Sequence, residues 1–138
     1  MRTMSNIDHL GIAVRSVKQS KAFYEQLGLQ VVGEETIEHE GVRVAMVPIG
    51  ETRIELLEAM HAESPIGRFL VKRGEGLHHI AIRVEDLASR VEELKRAGTK
   101  FISEEIKIGA GGHLYVFVHP SSAGGVLVEL CEDPLQGV

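Results

Sequence analysis

Apolar and polar positions alternate from His9 to Val14 and again from His79 to Val84, the period-two pattern of a strand buried on one face. Leu10, Ile12 and Val14 share a face and leave His9, Gly11 and Ala13 on the other. Seventy residues on, Ile80, Ile82 and Val84 share a face and leave His79, Ala81 and Arg83 opposite. Each run leads to a residue suited to cap a helix, Ser16 in the first copy and Asp86 in the second. Ser16 and Gln19 also have capping-box spacing. Helical periodicity follows, with Val17, Tyr24 and Leu27 on one face, and Leu87, Val91 and Leu94 on the matching one. Gly28 and Gly98 each suit a left-handed helix stop.

The repeat continues to its end. RIELLE (Arg53 to Glu58) matches LVELCE (Leu127 to Glu132), now 74 residues apart. Each copy therefore reads strand, helix, then three strands. In the first these are predicted at about Gln30–Glu38, Val42–Ile49 and Arg53–Glu58, and in the second at about Lys100–Ile106, Leu114–His119 and Gly125–Glu132. Hairpin turns are marked by Gly50 and by the stretch His119 to Gly124. The expected class is α+β, a single domain over residues 1–138 made of two tandem βαβββ modules at about 5–62 and 75–133. A connector at about 63–74 begins Ser64-Pro65-Ile66-Gly67 and is predicted to hold a short helix from Ile66 to Arg73.

The repeat also returns the same two polar residue types at the same two places. Ile54 and Leu56 leave Glu55 and Leu57 opposite; Val128 and Leu130 leave Glu129 and Cys131 opposite. A glutamate inside an apolar strand costs a large desolvation energy unless it is paired. Taken singly, a strand histidine is more often a hydrogen-bonded structural residue and a strand glutamate more often part of an ion pair. The symmetry changes that weighing. A divalent ion held by His9, Glu55, His79 and Glu129 satisfies all four, leaves the net charge near zero and keeps positions open for substrate. The other histidines, His39, His61, His78, His113 and His119, gain nothing from the repeat and read as structural or exposed. The glycine-rich Ile108 to Gly112 is no phosphate loop, since no Lys-Ser/Thr follows. It is either a mobile linker or a place where backbone N–H groups approach a carbonyl or carboxylate.

Composition narrows the rest. The chain has 138 residues, 43% apolar and 25% charged, enough for a packed core. Its net charge of −5 and its scattered Lys and Arg argue against a nucleic-acid partner. No run reaches the roughly 18 apolar residues of a membrane span. The opening MRTMSNIDHLG holds no apolar stretch, so no signal peptide is expected. The single cysteine, Cys131, excludes an internal disulfide, and a cytoplasmic location is expected.

The stretches DHLGIAV, GVRVAMVPIG, IELLE, GLHHIAIRV, IGAGGH, VFVHP and GVLVEL resemble the vicinal oxygen chelate superfamily, and within it the methylmalonyl-CoA epimerases, over about Asn6 to Asp133. The run from Lys107 to Glu129 carries most of that resemblance. It implies a cup-shaped mixed sheet around a metal, a homodimer, an acyl-CoA thioester substrate, and a divalent ion. Cobalt is favoured, ahead of nickel, zinc, manganese or magnesium. The ligand positions map onto His9, Glu55, His79 and Glu129, and Glu129 and Glu55 are the carboxylates available as catalytic bases. Alternatives on the same scaffold are lactoylglutathione lyase (glyoxalase I), another lyase or dioxygenase, and a non-enzymatic binding protein. Some epimerases carry a glutamate on the second strand of the first module; here that position is Val44. A hairpin turning at Ile49-Gly50 would place Val44 directly across from Glu55. Arg43, Arg53, Arg83 and Lys107 are candidates, by charge, for the coenzyme A tail.

Overall fold

A computed structural model describes residues 5–133. The chain divides into two compact units, one of His9–His78 and one of Met1–Asp8 with His79–Val138. The fold class is α+β, with each half of the chain running strand, helix, three strands, as the repeat predicts. Among the described residues, no helix is long and apolar enough to cross a membrane.

In the first copy the elements are β1 (Asn6–Val14), α1 (Val17–Gln26), β2 (Val32–Ile37), β3 (Val42–Ile49) and β4 (Thr52–Ala59), and the sheet order is β2-β3-β4-β1. β1 lies parallel to β4, while β3 is antiparallel to both β2 and β4. Val14, Val17, Ala45, Val47 and Leu56 form the core between α1 and the sheet, joined by Ile12, Tyr24 and Ile54. Ser16 caps α1, its hydroxyl accepting from the Gln19 N–H at 3.2 Å. Leu27, expected on the core face, is instead 61% exposed: it sits at the C-cap, where the chain turns off through Gly28 at φ +91°. The connector folds as α2 (Pro65–Arg73), with Ser64 as N-cap and Pro65 in the first turn.

The second copy holds β5 (Gly76–Arg83), α3 (Leu87–Arg96), β6 (Lys107–Ile108), β7 (Leu114–Val118) and β8 (Val128–Glu132), in the order β5-β8-β7-β6. Leu87, Val91, Val116, Val118 and Leu130 make its core. The strand expected at Lys100–Ile106 is absent. That segment makes one isolated bridge, Phe101 to Val118, and the paired strand starts only at Lys107. Phe101 and Ile106 reach the core, but Ser103, Glu104 and Glu105 between them give no alternating apolar face to hold a ladder. The closing strand also begins later than expected, at Val128.

The first hairpin corrects a second expectation. Ile49 pairs with Thr52, so the two-residue turn is Gly50-Glu51 with Gly50 at φ +59°, the glycine-first form of a tight hairpin. Glu55 therefore pairs with Met46, and Val44 with Leu57. Val44 stays on the Glu55 face but two pairs further along the strands, and it is buried.

The last glutamate of each repeated motif has a structural task. Glu58 Oε1 accepts the Val17 N–H at 2.8 Å, and Glu132 Oε1 accepts the Leu87 N–H at 3.0 Å. Each carboxylate thus closes a helix N-terminus from the neighbouring strand, where the dipole and unpaired donors favour a negative charge. Glu132→Ala is expected to cost about 1–2 kcal/mol, read as a lower urea midpoint.

Candidate active site

Among the described residues six polar side chains are buried: Asp8, His9, Glu55, Ser64, His79 and Glu129. Ser64 is a helix cap, and four of the remaining five are the residues singled out by the repeat. In the first unit β1 and β4 run parallel with Gly11 beside Glu55, so His9 and Glu55 lie on one sheet face. His9 Nδ1 stands 3.4 Å from Glu55 Oε2. In the second unit β5 and β8 pair Ala81 with Glu129, and His79 Nε2 stands 3.0 Å from Glu129 Oε1. Each unit thus presents one imidazole and one carboxylate, nearly withdrawn from water.

Apart from Arg53 and Arg83, the neighbours on these faces are small or apolar. Gly11 and Ala13 flank His9, while Ala81, Cys131 and Tyr115 form a buried cluster beside His79 and Glu129. Phe117, paired with Glu129 across the hairpin, meets the His79 ring edge to face at 5.3 Å. Such a ring fixes the imidazole plane without competing for its nitrogens. Each imidazole–carboxylate pair offers the donor atoms a divalent ion takes.

The remaining histidines stand apart from these pairs. His39 and His61 make long ion pairs with Glu40 and Glu63 at the surface, and His78 packs edge to face on Phe69. His119 accepts the Ser121 N–H at 3.0 Å. His113 is structural: its ring bridges the Ala110 carbonyl and Asp133, at 3.0 Å each. The glycine-rich segment is thereby a closed turn rather than a loose linker, with Gly109 N–H donating to His113 O at 2.8 Å. A Cβ at Gly109 would meet the Tyr115 ring at 3.0 Å, which explains the glycine there.

Sequence reasoning passed over Asp8, the most buried of the six polar residues. Its Oδ1 accepts from Arg83 Nε at 3.0 Å and from Arg83 Nη2 at 2.8 Å. The hydrogen bond that Arg83 donates to Asp8 raises the Arg83 pKa above its ordinary value, against the opposing effect of burial. The signal was present in DHLG and in Arg83 on the next copy, but only the fold joins residues that far apart in the chain. Arg83→Leu would remove both of these donors from the buried Asp8 carboxylate, and a loss of about 3 kcal/mol or more is expected from urea unfolding. Of the four cations proposed for a coenzyme A tail, three are engaged: Arg43 with Glu58, Arg53 with Glu55, and Arg83 with Asp8. Lys107 makes no ion pair among the described residues.

Comparison with known proteins places this geometry in a family. The family model described as Glyoxalase/Bleomycin resistance protein/Dioxygenase superfamily matches residues 8–117, and the chain belongs to that superfamily. The human mitochondrial methylmalonyl-CoA epimerase is 41% identical over 129 residues, 92% of this chain and 73% of its own length. A hypothetical protein of Bacillus halodurans superposes with a TM-score of 0.93 at 45% identity, covering 99% of both chains. A variant of Streptomyces coelicolor methylmalonyl-CoA epimerase in complex with 2-nitronate-propionyl-CoA superposes with a TM-score of 0.92 at 32% identity, again over 99% of both chains.

Proposed function

We propose that this protein is an epimerase of methylmalonyl-CoA that exchanges the proton on C2 of the acyl group. The observation that carries the reading is the duplicated, buried imidazole–carboxylate pair, in a chain akin to methylmalonyl-CoA epimerases over nearly its whole length. His9, Glu55, His79 and Glu129 would hold one divalent ion, with cobalt the first choice. When bound, that ion supplies electrostatic stabilisation for the charge that develops as C2 loses its proton.

The chain's own residues supply the proton transfers. Glu129 takes the proton from one face of C2: the C–H bond breaks, its electron pair moves into the thioester carbonyl, and the carboxylate becomes a carboxylic acid. Glu55, a carboxylic acid at the start of this half-reaction, delivers its proton to the opposite face as the electron pair returns to C2, is left as the carboxylate, and the roles reverse for the other enantiomer. The burial of both carboxylates keeps bulk water from returning the proton at random. Phe117, Tyr115 and Ala81 wall the second unit's pair. Lys107 is the cation left to meet the coenzyme A phosphates. A homodimer in the cytoplasm completes the reading.

Incubation with methylmalonyl-CoA in D2O tests it. Deuterium should enter C2 during turnover, and the two enantiomers should interconvert. Turnover of a glutathione hemithioacetal with no reaction of the CoA ester would favour lactoylglutathione lyase instead.

A further inference from the structure

The two glutamates are not held alike. Arg53 stands two residues before Glu55 on the same strand, so both side chains leave the same face. The Arg53 side chain is only 17% exposed. Its Nε donates to Glu55 Oε2 at 2.9 Å, and its Nη2 lies 2.8 Å from the same oxygen. His9 Nδ1, at 3.4 Å, also addresses Oε2. The contacts made by Glu55 among the described residues thus converge on one of its two oxygens. In the second copy the aligned position is Leu127, whose side chain has no N–H to offer, and Glu129 meets His79 through Oε1.

A glutamate has three rotatable bonds, and burial alone does not choose between its two oxygens. A guanidinium fork on one oxygen does, because both N–H vectors must be met at once. Oε2 is then held, and Oε1 is the oxygen left for the ion and for a proton from carbon. We propose that Arg53 is a positioning residue for the epimerisation: it clamps Glu55 through Oε2 and so fixes where Oε1 stands to meet the ion and to exchange a proton with the substrate. This rests on the epimerase reading above. Each face of C2 would then meet a differently held base, a clamped Glu55 on one side and Glu129 on the other.

The test is deuterium entry at C2, followed separately from each enantiomer of methylmalonyl-CoA in D2O, for the parent, Arg53→Gln, Arg53→Lys, Glu55→Gln and the double variant Arg53→Gln/Glu55→Gln. Misplacing a catalytic group by about 1 Å costs on the order of 10²-fold, so Arg53→Gln should slow one enantiomer by about 10-fold or more. That enantiomer should be the one Glu55→Gln slows, while the other stays within about twofold of the parent. Arg53→Lys should recover part of the loss, since an ammonium keeps the charge but not the fork. In the Glu55→Gln background Arg53→Gln should add little, the mark of a coupled pair. The exchange rates are taken with the divalent ion saturating, because metal affinity, read by competition with a chelator, should weaken in Arg53→Gln and change no further in the double variant. Equal slowing of both enantiomers, or an undiminished effect of Arg53→Gln in the Glu55→Gln background, overturns the clamp and leaves the epimerase reading standing. A parent protein that exchanges neither enantiomer overturns both.

Discussion

His79→Ala is expected to strip the bound divalent ion and to lower epimerisation by about 10³-fold or more, the scale of losing several kcal/mol of charge stabilisation. The ring it removes is buried, fixed by Phe117 and aimed at Glu129 at 3.0 Å. No neighbouring histidine can replace it. His78, next in sequence, leaves the opposite face of β5 and packs on Phe69. His78→Ala therefore serves as the matched control and should keep its metal. Elemental analysis beside the rate checks both, and His9→Ala should behave as His79→Ala does.

The next largest effect separates the two carboxylates. Glutamine keeps a ligand oxygen but cannot take up a proton as a carboxylate does. Glu129→Gln and Glu55→Gln should each retain some metal and lose epimerisation by about 10²-fold or more. Each should still exchange deuterium into one enantiomer, and the two variants should choose opposite enantiomers. If Glu55→Gln epimerised at the parent rate, Glu55 would be a ligand only. Val44, two pairs further along the hairpin, offers no carboxylate to take its place.

These residues were legible because duplication repeats them. One buried histidine on a strand carries little information, but His9 with Glu55 and His79 with Glu129 recur at matching places in the two copies, and all four are buried. The helix caps at Ser16 and Asp86 were equally plain, since capping depends on three or four consecutive residues. What escaped was set by the third dimension. The turn at Gly50-Glu51 was placed one residue early, because a glycine can stand at either central position of a tight turn. That shift moved Val44 from beside Glu55 to beside Leu57. Lys100–Ile106 carries β-prone residues, yet only Phe101 and Ile106 find the core. Glu58 and Glu132 read as the polar ends of strands, and nothing local tells that each closes a helix. Asp8 and Arg83 lie 75 positions apart, so their pairing needed the fold.

The central claim is that one ion, shared by His9, Glu55, His79 and Glu129, is needed for the exchange at C2. Titration of chelator-treated protein with cobalt, with bound metal and epimerisation measured on the same samples, tests it most directly. The account predicts negligible activity without metal and a rise that ends at about one ion per chain, the number one four-ligand site can hold. Full epimerisation by metal-free protein, or activity that climbs only after a second ion per chain is bound, would contradict it.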